Sequence, residues 1–195
     1  MWLRVLIPLQ AYLLGALSFA KWLARLKGID LSKEGSGNLG ATNLWRAAGR
    51  DWGLLCLLLD ASKGYVACVL AAHLSRQDPL WIVLAGACAI LGHTFSPWAN
   101  FKGGKGAATG LGVLLFLSPS SFGIALAVAF AVIRSTSMVS LGTLMVLWMI
   151  PLLFVHFKLP QSYTFFSVVA ALYITWKHKG NIARIVRGNE NKIKW

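Results

Sequence analysis

Residues 106–133 read GAATGLGVLLFLSPSSFGIALAVAFAVI, twenty-eight positions without a charge, and whether they form one helix or two decides the fold. One crossing of a bilayer's hydrocarbon layer takes about 20 apolar residues. The run is therefore long for one crossing and short for two. Its centre, Ser118-Pro119-Ser120-Ser121, reads as a turn, because proline removes a backbone donor and small hydroxyls can satisfy the groups a break leaves open.

Outward from this run, the stretches 5–20, 79–101, 135–157 and 159–176 are also free of Lys, Arg, Asp and Glu. Over the 195 residues 57% are hydrophobic and only 13% charged, with a mean hydropathy of +0.64; a soluble domain carries roughly a quarter charged residues. The chain reads as an all-α integral membrane protein, a single polytopic domain over 1–195 with no internal repeat. Five spans are expected at about 3–25, 53–73, 80–96, 138–155 and 161–177. The first has no small-residue cleavage site and ends in Lys21 and Arg25, so it reads as a retained helix and not a signal peptide.

Charge arbitrates the ambiguous run. With the N-terminus outside and a split at Ser118–Ser121, seven spans result, and Lys21, Arg25, Lys27, Lys33, Arg46, Arg50, Lys102, Lys105, Arg134 and the basic C-terminal residues all lie inside. Arg4, Arg76 and Lys158 alone lie outside. A single helix would carry Arg134 and the basic tail outside, against the positive-inside bias. Each half of the split run, about 12–14 residues, is short, and a re-entrant hairpin is the alternative. The net charge of +13 is thus absorbed by topology and anionic lipid, and no nucleic-acid partner is expected.

Three polar stretches fall on the cytoplasmic side in this topology, so one site can be built from them. Residues 35–49, GSGNLGATNLWRAAG, combine tight-turn glycines with Ser36, Asn38, Thr42 and Asn43, and with the guanidinium fork of Arg46. The bland reading is a polar loop in which Thr42 or Asn43 caps the next helix. Residues 92–109, GHTFSPWANFKGGKGAAT, alternate lysine with glycine, a pattern suited to anions because glycine lets backbone N–H groups approach a ligand. The P-loop spacing is absent, which excludes a nucleotidase of that type. Residues 176–188, WKHKGNIARIVRG, place His178, Asn181 and Arg184 near one face if the segment stays helical through Gly180. Inside the second span Asp60 and Lys63 stand three apart; charges there must face protein and pair, and they read as a structural pair supporting the site. Cys56, Cys68 and Cys88 lie in apolar segments without metal spacing and read as small buried hydrophobes.

These stretches, GSGNLGATN at 35–43 with Arg46 and Gly49, GHTF at 92–95 followed by FKGGKG at 101–106 with Thr109, and His178-x2-Asn-Ile-x-Arg before Gly188, resemble the PlsY-type acyl-phosphate:glycerol-3-phosphate acyltransferases of the bacterial inner membrane. Asp60-x2-Lys63-Gly64 fits the same pattern. The likeness covers most of the chain in order and spacing; Lys177 departs from it where arginine is expected. It implies seven helices, a cytoplasmic active site, and transfer of a fatty acyl group from acyl phosphate to glycerol 3-phosphate. The products are lysophosphatidic acid and inorganic phosphate, in the first step of phospholipid synthesis. By the motif matches Ser36, Arg46, Lys105, His178 and Asn181 are the catalytic candidates. Asn38, Gly40, Thr42, Asn43, His93, Lys102, Gly103, Gly104, Gly106, Thr109 and Arg184 are the substrate-binding ones. The partners implied are the two substrates, membrane lipids and a soluble acyl-phosphate synthase; no cofactor or metal is implied.

The residues suit that chemistry. Acyl phosphate is already activated, so holding two polyanions together and stabilising developing charge supplies most of the catalysis. His-x4-Asp is absent, since Trp98 stands five after His93, and there is no Gly-x-Ser-x-Gly elbow. Direct transfer without an acyl-enzyme is expected, with a substrate phosphate oxygen as proton acceptor and His178 or His93 as alternatives. The rival readings are a transporter or flippase for an organophosphate or anionic lipid, and a lipid-binding structural subunit.

Overall fold

The computed structural model describes residues 2–194, and its regular structure among them is entirely helical. The chain divides into two compact units, Met1–Phe116 and Leu117–Trp195. In the first lie α1 (Leu6–Ala16), α2 (Phe19–Leu26), α3 (Ala41–Ala48), α4 (Arg50–Ser75), α5 (Pro79–Thr94) and nearly all of α6 (Ala107–Leu117). The second holds α7 (Pro119–Thr136), α8 (Val139–His156), α9 (Gln161–Lys177) and α10 (Lys179–Val186).

Five segments are long and apolar enough to cross a membrane: Leu6–Leu26, Arg50–Ser75, Pro79–Ala99, Pro119–Thr136 and Val139–His156. α9, at 17 residues, covers the span expected at 161–177. The ambiguous run breaks where the turn signal lies. Ser118 caps α7, its Oγ accepting the Ser121 N–H at 3.2 Å, and Pro119 takes the first helical position, where a missing N–H costs nothing. The halves are less equal than expected, 11 and 18 residues, because α7 runs on through Arg134 to Thr136.

The first expected span is not one helix. It opens at Leu17 and Ser18, which leaves carbonyls without an intrahelical partner. Side chains from elsewhere in the unit take them: Ser96 Oγ donates to the Ala16 carbonyl at 2.5 Å and Lys63 Nζ to the Leu17 carbonyl at 2.8 Å. A broken span is tolerated in lipid only where protein satisfies its backbone in this way.

Packing in the first unit runs through small residues. Ile7, Ala11, Ala67, Ala71, Ala85 and Ala89 form the buried contact of α1, α4 and α5, while Leu9, Leu13, Leu58, Val69 and Leu84 face outward. Lipid gives helices no hydrophobic drive to associate, so close approach of backbones and van der Waals contact must do it. α6 meets α4 the same way, Gly112 lying against Ala61 and Gly64 against the Thr109 carbonyl with no room for a side chain. Two short amphipathic helices complete the set: α3, which was legible only as a polar loop, and α10, which continues the helical reading of 176–188. Gly40, not Thr42 or Asn43, occupies the N-cap of α3.

Candidate functional site

In the first unit the loop ahead of α3 is built around Asn43, which is 1% exposed. Its Oδ1 accepts the Ser36 N–H at 3.1 Å, and its Nδ2 donates to the carbonyls of Leu31 at 3.2 Å and Glu34 at 2.9 Å. Three of its four hydrogen-bonding positions thus go to the backbone of one loop. Asn43 thereby holds the backbone at Ser36 in place. Gly35, at φ 53, lies against Asn43 Oδ1, where a side chain would collide. Arg46, one turn along α3, is half-buried.

The 92–109 stretch is anchored as a rigid turn. Tyr12 Oη donates to the Phe95 carbonyl at 2.7 Å and Lys21 Nζ to the Trp98 carbonyl at 2.7 Å. Asn100 and Phe101 both adopt left-handed backbone, φ 52 and 59. Such residues cost on the order of 1–3 kcal/mol where they are held out of their preferred wells, and they gather at functional sites.

The glycines then do something the sequence reading did not anticipate. The N–H groups of Gly103 and Gly104 do not face a ligand; they donate to the carbonyls of Thr94 at 3.1 Å and His93 at 3.2 Å, closing the C-terminus of α5. Gly104 also lies against the His93 ring and the Leu39 carbonyl, where a Cβ would overlap Nε2. That contact brings the 35–40 and 103–106 stretches together. Lys105 is half-buried and Lys102 exposed on either side. Gly106, at φ 88, turns the chain into α6. Thr109, one of the substrate-binding candidates, faces α4 instead: it is 0% exposed, because helical periodicity from Ala107 puts it on the packed side.

Behind His93 lies the Asp60–Lys63 pair, 1% and 4% exposed. Lys63 Nζ stands 2.8 Å from Asp60 Oδ1 and 2.9 Å from His93 Nδ1. Cys56 directs its S–H at Asp60 Oδ2 over 3.5 Å. Buried charges are retained only when paired, and here the pair bonds directly to a candidate site residue thirty positions away. The pairing was legible; its attachment to His93 was not.

The second unit carries its own cluster. α10 stays helical through Gly180, so Asn181 and Arg184 share a face, and His178 sits at the joint between α9 and α10. His178 Nδ1 is 2.7 Å from the Ile174 carbonyl; a carbonyl only accepts, so Nδ1 carries a proton. Glu190, which sequence reasoning missed, organises the rest. Its Oε1 accepts from Asn181 Nδ2 at 2.5 Å and Ser140 Oγ at 2.8 Å, and its Oε2 from Arg184 Nε at 2.9 Å. Burial pushes the Glu190 pKa up, but those hydrogen bonds and the Arg184 charge outweigh it and hold the carboxyl below 4.5. It is the only acidic residue after Asp78, a signal that an isolated acid in a basic tail could have given.

Comparison with known proteins gives the family. A family model described as Glycerol-3-phosphate acyltransferase matches residues 5–188. A glycerol-3-phosphate acyltransferase of Desulfotalea psychrophila is 42% identical, over 97% of this chain and 98% of its own length. That of Trichlorobacter lovleyi is 43% identical over 94% of each. Among solved structures, PlsY, an integral membrane glycerol 3-phosphate acyltransferase in its glycerol 3-phosphate form, superposes with a TM-score of 0.93 at 34% identity, covering 98% of this chain and 96% of that one. The same enzyme in a lysophosphatidic acid form gives 0.90 at 33% identity, covering 98% and 95%. By sequence over nearly its whole length and by fold, the chain belongs to the PlsY family of integral membrane glycerol-3-phosphate acyltransferases.

Proposed function

We propose that this chain transfers a fatty acyl group from acyl phosphate to glycerol 3-phosphate, at the cytoplasmic face of a bacterial inner membrane, as the first acylation of phospholipid synthesis. The observation that carries the reading is the cationic glycine turn at 102–106, closed onto the end of α5 and backed by a buried His93. A relative of the same fold has been solved in glycerol 3-phosphate and lysophosphatidic acid forms, which fit the acceptor and the product. The bias of basic residues supports seven spans with the N-terminus outside and the two clusters facing the cytoplasm.

In the reaction the glycerol 1-hydroxyl oxygen attacks the acyl carbonyl carbon, the C–O bond to phosphate breaks, and inorganic phosphate leaves with the hydroxyl proton on one of its oxygens. Within the first unit Arg46, Lys105 and Ser36 hold and neutralise phosphate oxygens, with Lys102 adding charge; the motif matches nominate His178, Asn181 and Arg184 of the second unit as substrate contacts as well. Charge-assisted bonds of this kind are about twice as strong as neutral ones, and fixed donors need no reorganisation as charge develops. Single-step transfer is supported by the cysteines: Cys56 and Cys68 are wholly buried, and the Cys56 S–H is spent on Asp60.

The deciding measurement is phosphate release by the purified protein in detergent, given acyl phosphate with and without glycerol 3-phosphate, and with acyl-CoA as a second donor. Release that requires glycerol 3-phosphate, matched by lysophosphatidic acid, is expected with acyl phosphate only. Turnover with acyl-CoA, or none with acyl phosphate from folded protein, would overturn the donor assignment.

A further inference from the structure

We infer that Asp60 and Lys63 lock His93 as a neutral imidazole whose Nε2–H donates to an oxygen of the anionic substrate, so that His93 holds charge and takes no proton. The inference deepens the acyltransferase reading and rests on it for the identity of the anion.

The ammonium of Lys63 hydrogen-bonds the Leu17 carbonyl at 2.8 Å and stands 2.9 Å from His93 Nδ1, and it forms an ion pair with Asp60, whose Oδ1 lies 2.8 Å away. An ammonium has no lone pair, so the ring nitrogen beside it accepts, and the imidazole proton lies on Nε2. The alternative, an imidazolium giving Nδ1–H to Asp60, uses a longer contact of 3.5 Å. It would also set two cations 2.9 Å apart in a buried place. The Asp60 carboxylate, itself met by the Cys56 S–H and 1% exposed, is the counter-charge of the lysine.

Nε2 makes no hydrogen bond among the described residues, although His93 is only 7% exposed. It lies against Gly104, in the space a side chain would fill. A buried ring with its one donor held toward a glycine turn is arranged to meet an anion's oxygen. Asp60 and Lys63 are positioning residues, acting only through the ring they fix.

The tautomer can be read without turnover. In the full chain labelled with 15N-histidine in detergent, the His93 imidazole, assigned by its loss in His93→Gln, is expected as Nε2–H with an unprotonated Nδ1. Glycerol 3-phosphate, and inorganic phosphate alone, should each move its Nε2 signal. In Lys63→Met, Asp60 becomes the nearest partner of Nδ1 and the tautomer should invert. Gln places an amide N–H where Nε2 stands, whereas Asn reaches only the Nδ1 position. His93→Gln should therefore keep kcat/KM within about tenfold, and His93→Asn should lose about 100-fold, the scale of removing one fixed donor. An Nδ1–H or doubly protonated ring in the wild type, an unmoved tautomer in a folded Lys63→Met, or equal activity of the two His93 variants would each overturn the inference. Should Lys63→Met fail to fold, the wild-type spectrum and the His93 pair decide. A protein with the Nε2–H tautomer and a phosphate response but no acyl transfer would sink the functional reading and leave the relay standing.

Discussion

Glu190 offers the sharpest test of how the second cluster is held. Its carboxylate is 0% exposed and takes three donors, two on Oε1 from Ser140 and Asn181 and one on Oε2 from Arg184. The Arg184 side chain is 32% exposed, so water screens that contact to at most about 1 kcal/mol. The two donors on Oε1 belong to buried residues, and stranding each costs about 1–3 kcal/mol. Glu190→Ala should therefore destabilise the second unit by about 3 kcal/mol and release the Asn181 amide. Glu190→Gln keeps Oε1 and both of its bonds but turns an amide NH2 toward the Arg184 Nε–H. The guanidinium must then swing away through its exposed side, so the loss should stay at about 1 kcal/mol, well under that of Glu190→Ala. Thermal melts of the full chain in detergent, with kcat and KM for glycerol 3-phosphate, check the ordering; equal melts for the two variants, or no change in either, would refute the reasoning. The pH dependence has a fixed sign. Because the folded pKa is depressed, the stabilisation is complete above about pH 4.5 and is lost as pH falls through the lower folded value. Glu190→Gln should flatten that acid limb.

Arg46→Ala and Lys105→Ala should each cost at least about 2 kcal/mol of transition-state binding, about 30-fold in kcat/KM; near-wild-type turnover of both would refute their role as phosphate holders. Asn43→Ala removes three bonds to the 31–36 loop, so amide exchange at Ser36 should quicken and kcat/KM should fall with it; protection equal to wild type would show that the loop is held otherwise. Gly104→Ala puts a methyl into the space of His93 Nε2, and KM for glycerol 3-phosphate should rise about tenfold or more; unchanged kinetics would place the ring outside the site.

What the sequence disclosed and what it withheld divide along physical lines. The break at Ser118 was legible because proline, serine and charge bias all act locally or by simple summation. The Asp60–Lys63 pair was legible because i,i+3 spacing guarantees one helix face. The kink at Leu17 was not, since neither proline nor a second glycine marks it and its stabilising groups, Lys63 and Ser96, arrive from distant helices. Asn43 was read as a cap or pocket residue because composition names a polar group without naming its partners. The glycine N–H groups were read toward a ligand for the same reason, whereas helix α5 needed them first.

The opening of the first span also bears on how the protein is made. Its two exposed carbonyls are answered by residues 80 and 46 positions further along, so neither answer exists when the segment leaves the ribosome. Until the third long apolar segment has been synthesised, the N-terminal segment has every reason to remain a straight, fully hydrogen-bonded rod in the lipid. The groups that satisfy the bend are later arrivals, and the lysine among them is the one that touches His93. One side chain holds both the bend and His93, so a lesion at Lys63 would strike the assembling chain before the finished protein.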